Sequence, residues 1–154
     1  EDLSISPKEA KKYIENFFIA HPKVKDFMEN SVNIAKSTGR ASTILGRTRK
    51  MNDINSSNFM IRSRAERATY NMPIQGSASD IIKLAMLKVH KALKKSKTGA
   101  KLIMQVHDEL IIDTPMNKKD DVLKLVKDCM QNAIKLSVPL DTDGSVGYRW
   151  SEGH

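Results

Sequence analysis

One stretch constrains the chain more than any other: Gln105-Val106-His107-Asp108-Glu109-Leu110. Leu102, Ile103 and Met104 precede it, and Leu110, Ile111 and Ile112 follow. Two short apolar runs around a polar bend predict a hairpin over Lys101–Asp113. Apolar runs favour burial, and buried charge is costly unless it is paired or bound to a metal. A buried hairpin with acids at its bend therefore points to a divalent cation held by Asp108, with Glu109 beside it.

The whole sequence, 154 residues, is long enough for one ordinary domain with a core. No run approaches the roughly 18 consecutive apolar residues of a membrane span. Glu1-Asp2-Leu3-Ser4 lacks the basic-then-apolar pattern of a signal peptide. The single cysteine, Cys129, excludes an internal disulfide and fits a reducing, cytoplasmic compartment. The formal net charge of +8 makes a polyanion the leading partner, nucleic acid ahead of membrane. Between Lys36 and Arg67 stand eight basic residues and two acids, Asp53 and Glu66.

In chain order, Ser6-Pro7-Lys8-Glu9 reads as a capping box with proline at the first helical position. Ala10, Tyr13, Ile14, Phe17 and Phe18 follow at helical spacing. His21-Pro22 ends that helix and opens another, whose stripe is Val24, Phe27, Met28, Ser31 and Ala35 and whose stop is Gly39. Ala41–Leu45 is a short strand candidate and Gly46 a turn. Arg47, Arg49 and Lys50 flank that turn, where glycine permits close approach and the cations suit a phosphate backbone.

A long helical region spans about 58–96, with a break expected at Pro73 and Gly76. Arg67, Asn71 and Gln75 are four apart; a helix continuing through Pro73 presents them on one face. A guanidinium and two carboxamides there can line a duplex groove, although an ordinary polar face has the same spacing. Ile82, Ala85, Met86, Val89 and Leu93 form an inward stripe, and the lysines off it read as a solvated face. Asn117 is a candidate cap for a helix whose apolar stripe runs from Val122 to Leu136 and includes Cys129 as a small core residue. Val138–Val146 reads as a last strand, and Trp150 as a packing residue. His21, His90 and His154 carry no site argument. The fold class is α+β: a helical hairpin, then helices on a small antiparallel sheet.

Arg67-Ala68-Thr69-Tyr70-Asn71-Met72-Pro73-Ile74-Gln75-Gly76-Ser77-Ala78-Ser79-Asp80, followed by Val106-His107-Asp108-Glu109, resembles the C-terminal part of a family A DNA polymerase, the bacterial DNA polymerase I type. The Gly46-Arg47 turn and the Trp150 ending agree, so the resemblance covers essentially the whole chain. It implies that residues 1–57 are the remainder of the fingers with the basic turn, and 58–154 a palm portion. It implies that Asp108 is a metal-binding aspartate and Glu109 a supporting carboxylate. The resemblance also implies that His107 contacts the primer strand near its 3′ end. It implies that Arg67, Asn71 and Gln75 contact the primer–template backbone and minor groove, while Arg47 and Arg49 are the expected phosphate contacts beside the turn.

The implied chemistry is in-line attack of a primer 3′-hydroxyl on a deoxynucleoside triphosphate, aided by two Mg2+ ions. The family's upstream aspartate segment and its triphosphate-binding fingers helix have no counterpart here, so the missing N-terminal part of the polymerase is an expected partner and the chain alone is expected to be inactive. Thr48 stands where relatives commonly carry another arginine. A non-catalytic basic DNA-binding module is the alternative; a two-metal nuclease is a third, for which one Asp-Glu pair is sparse.

Overall fold

A computed structural model describes residues 5–152, so the readings made of Glu1–Ser4 and His154 lie outside the described residues. The elements run α1 (Pro7–Ala20), α2 (Pro22–Thr38), β1 (Arg40–Ser42), β2 (Thr48–Lys50), α3 (Phe59–Asn71), a π turn (Met72–Gly76), α4 (Ser77–Ser96), β3 (Lys101–Val106), β4 (Glu109–Asp113) and α5 (Lys119–Gln131). Short 3-10 turns occupy Met116–Lys118 and Trp150–Glu152. Helices with small antiparallel sheets make the chain α+β, as its sequence predicts. It divides into two compact units between Gly76 and Ser77.

In the N-terminal unit the capping box forms as read: the Glu9 amide donates to Ser6 Oγ, and the Ser6 amide donates to Glu9 Oε2 at 2.9 Å. Such a cap contributes about 1 kcal/mol. Gly39 ends α2 in the left-handed region at φ 70°, where its missing Cβ removes the usual penalty. The core joins Ala35 of α2, Ala41 of β1, and Met51 and Ile54 of the following loop. The stripe read on α1 is not buried: Tyr13, Ile14 and Phe17 are exposed. Helical spacing states which residues share a face, not whether anything covers it.

The expected break at Pro73 takes the form of the π turn. Proline has no amide to donate to the carbonyl four residues back, and its ring crowds that carbonyl. Widening the helix by one residue relieves the conflict without ending it. The buried Thr69 hydroxyl donates to the Ala65 carbonyl at 2.8 Å just before this turn.

In the C-terminal unit Val89 and Leu93 of α4 pack with Ala100 and with Val122 and Val126 of α5. Leu102, Leu110 and Ile112 of the hairpin, with Cys129, lie against this cluster. Burial pushes the Cys129 thiol above its ordinary range, as expected of a packed small residue. Asn117 does not cap α5; it lies in the preceding 3-10 turn, and Lys118 precedes the helix without a side-chain cap. Asp120 and Asp121 in the first turn favour the helix dipole instead.

Two further expectations fail here. The α5 helix stops at Gln131, short of Leu136. No strand forms over 138–146. Pro139 lacks a ladder donor, and Asp141, Asp143 and Gly144 are poor strand formers. Gly144 instead lies so close to α5 that a Cβ there would sit 2.7 Å from Leu123 Cδ1. The segment is laid on the helix rather than added to a sheet.

Candidate nucleic-acid interface and acidic bend

β3 and β4 pair antiparallel from Lys101↔Asp113 to Val106↔Glu109, with a bulge between Leu102 and Met104. His107 and Asp108 form the two-residue bend. His107 adopts φ 53°, a left-handed backbone conformation uncommon for a residue with a Cβ. Holding a non-glycine residue there costs about 1–2 kcal/mol. The Gln105 side-chain amide donates to the His107 carbonyl and braces the bend. The sequence reading gave Gln105 no role; its position two residues before a turn was the available signal.

The bend is not buried. His107, Asp108 and Glu109 are all exposed. This corrects the premise of a buried acidic hairpin. Leu110 and Ile112 alternate onto the packed face, so Glu109 and Ile111 fall on the other face. On that side Ile103 is 61% and Met104 42% exposed. Ile103, Met104, Asp108 and Glu109, with Asp141 and Asp143, are among the residues lining a groove of about 1090 Å3. The acids need no buried partner, because water reaches them. Among the described residues no group of three or more His, Cys, Asp or Glu is arranged to hold a metal ion.

In the N-terminal unit the basic turn is a small hairpin pairing Arg40↔Lys50, Ala41↔Arg49 and Ser42↔Thr48. Its loop hangs on buried Thr43. The Thr43 amide donates to the Arg47 carbonyl at 2.9 Å, and the Arg47 amide donates to Thr43 Oγ1 at 3.2 Å. Gly46 turns the loop at φ 83°. Arg47 and Arg49 are exposed, and Arg47 Nη2 donates to the Gly76 carbonyl at 3.4 Å. Thr48 Oγ1 accepts from Arg40 Nη1 at 2.8 Å. Lys36, counted among the cations of this stretch, is paired with Glu66 at 2.9 Å.

Arg67 and Asn71 lie on α3 and Gln75 in the π turn, all exposed. Arg67 Nη1 donates to Ser63 Oγ at 2.9 Å, which directs the guanidinium along the helix. Each of the named groups therefore reaches solvent: cations and carboxamides in one unit, carboxylates at the bend of the other.

Comparison with known proteins fits this distribution. The family model "DNA polymerase family A" matches residues 1–152. DNA polymerase I of Lactococcus lactis subsp. cremoris is 46% identical over 151 residues, covering 98% of this chain and 17% of that protein. DNA polymerase I of Bacillus caldotenax is 46% identical over 150 residues, covering 97% of this chain and 17% of that protein. The chain thus spans about a sixth of the length of these relatives. A solved structure of the POL domain of Pol1 from M. smegmatis, in complex with DNA primer-template and dNTP, aligns with a TM-score of 0.85 and 42% identity over 90% of this chain and 24% of that one. With sequence match, fold and exposed polar groups in agreement, the chain belongs to DNA polymerase family A.

Proposed function

We propose that this chain is part of a DNA-directed DNA polymerase that adds deoxynucleotides to a primer 3′ end by two-metal nucleotidyl transfer. The observation that carries the reading is the pair of adjacent carboxylates, Asp108 and Glu109, exposed at a braced hairpin bend in a family A chain. Hard oxygen donors at an open bend suit Mg2+, which takes one or two protein carboxylates and completes its shell with water and phosphate oxygens. The donor set thus fits part of a metal shell, not an all-protein cage. Bound there, the metal supplies charge stabilisation for in-line displacement at a phosphate.

The chain's own residues then divide the work. Asp108 holds the metal and Glu109 supports it. His107 contacts the primer strand near its end. Arg67, Asn71 and Gln75 contact the minor groove, whose acceptors are nearly the same for every correct pair, so they sense pairing geometry without reading sequence. Arg47 and Arg49 neutralise backbone phosphates. Residues 1–57 serve as fingers and 58–154 as palm, a functional division distinct from the packing boundary. The partners are primer–template DNA, a deoxynucleoside triphosphate and the rest of the polymerase, in a cytoplasmic setting.

In these 154 residues nothing matches the upstream aspartate segment that the resemblance implies, of the type Asp-x-Ser-x-x-Glu, which would supply a second metal-binding aspartate. By themselves they are inactive. The test places this chain in the matching segment of the Bacillus caldotenax enzyme. The chimera extends a primer with Mg2+, and the isolated chain does not. Extension by the isolated chain, or an inert but folded chimera, would sink the proposal.

A further inference from the structure

Gly76 closes the π turn one residue after Gln75, and something packs into the space its side chain lacks. A Cβ at Gly76 would lie 2.8 Å from Thr43 Cγ2, closer than real Cβ contacts come. Thr43 is buried and organises the loop of the β1–β2 hairpin through its amide and its hydroxyl. From that same loop Arg47 Nη2 donates to the Gly76 carbonyl, across 29 positions of sequence. The turn widened by Pro73 is thus met at its end by a methyl group and a guanidinium from one loop.

We propose that the β1–β2 hairpin clamps the π turn, with Thr43 seated against Gly76 and Arg47 bonded to its carbonyl, and that Arg47 is thereby a positioning residue for Gln75. A π turn is a local departure from helical bonding and needs outside support to keep one geometry. The clamp supplies that support and fixes the direction in which the Gln75 carboxamide leaves the turn. The functional half of this inference rests on reading Gln75 as a duplex contact; the clamp itself does not.

The test uses the 154-residue chain and a primer–template duplex. Arg47→Met keeps most of the side-chain length and removes the donor. Gly76→Ala inserts the forbidden Cβ. Thr43→Ser deletes the opposing methyl but keeps the hydroxyl that accepts from the Arg47 amide. Amide exchange is expected to rise about tenfold at Ile74, Gln75 and Gly76 in Arg47→Met. It rises likewise in Gly76→Ala and returns toward wild type in the Thr43→Ser/Gly76→Ala double variant, a rescue that general destabilisation does not produce.

Duplex affinity is read in parallel at high salt, where the lost charge is screened. Arg47→Met weakens binding in the wild-type background and adds little once Gln75→Ala is present. Unchanged exchange at 74–76 in Arg47→Met and in Gly76→Ala overturns the clamp. Raised exchange with rescue, but duplex affinity insensitive to every variant, upholds the clamp and counts against Gln75 as a duplex contact.

Discussion

The two hairpins carry opposite charge and are held in different ways. The β1–β2 hairpin is three residue pairs long, too small to fix its own tip. Its loop is tied to a residue outside it, Gly76, which buried Thr43 approaches closely and whose carbonyl accepts from Arg47 across 29 positions. The β3–β4 hairpin is longer, packs Leu102, Leu110 and Ile112 on a helical core, and extends its acids away from that base. Gln105, two residues before the carbonyl it meets, braces the bend. A cationic loop whose geometry depends on tertiary contacts should lose its site when packing is disturbed. An acidic bend projected by a packed base should tolerate loss of its acids as a structure while losing them as chemistry.

The sharpest way to break that contrast is at the core behind the cationic loop. Ile54, 1% exposed, packs with Ala35, Ala41 and Met51. Ile54→Ala should cost about 2–5 kcal/mol in urea unfolding, since the cavity opens in the core that Ala41 of β1 joins. A loss under about 1 kcal/mol would mean that this core does not support the hairpin. Less costly to the fold, Arg49→Met should weaken duplex binding equally across sequences and lower the slope of log affinity against log salt by about one. A sequence-dependent loss would remove Arg49 from the phosphates. Gln75→Ala, by contrast, should leave that slope unchanged and weaken binding about tenfold through a lost groove contact. A changed slope or unaltered affinity would contradict its role.

The smallest effects fall at the start of α1, remote in sequence from both hairpins. Ser6→Ala should cost about 1 kcal/mol by removing the hydroxyl that accepts from the Glu9 amide and donates to Glu9 Oε2 at 2.7 Å. The Ser6 hydroxyl first, and then the Ser6 amide, donate to the Glu9 carboxyl and hold it below its ordinary 4.5. A carboxyl depressed in the folded state stabilises above its unfolded value and loses that contribution as pH falls through the folded one. The Ser6→Ala penalty should therefore be full at neutral pH and shrink on acidification below about 4.5. A penalty independent of pH would show that the bond from the Ser6 hydroxyl to the Glu9 carboxylate contributes nothing.

What the sequence reveals follows from how locally each feature is determined. The Ser6 box, the Gly39 stop and the Gly46 turn are decided within a few residues, and each forms where it is read. The α4 stripe is legible because Ala85, Val89 and Leu93 are buried as read, with Val89 and Leu93 packed on Val122 and Val126 of α5. Pro73 announces a disturbance, but whether a helix breaks or widens depends on the structure around it. The 138–146 segment has apolar residues at its ends, yet its fate is set by close contact of Gly144 with Leu123. Exposure of the 107–109 bend is invisible to local pattern, because Ile103 and Met104 read as core residues and remain open to the groove. The residues named for the site were legible as motifs; Gln105 and Thr43, which brace two of those stretches, act through side-chain bonds to the backbone that no motif records.

The central claim is that Asp108 acts in chemistry and not in the fold. The direct measurement is magnesium-dependent primer extension by the Bacillus caldotenax chimera carrying Asp108→Ala, alongside its unfolding midpoint. The prediction is a loss of at least about a thousandfold in extension rate, as for removal of a group that holds the catalytic charge. Because Asp108 is exposed, stability should stay within about 0.5 kcal/mol of the parent. Extension retained within about tenfold, or a loss that tracks unfolding, would contradict the assignment of the metal to this bend.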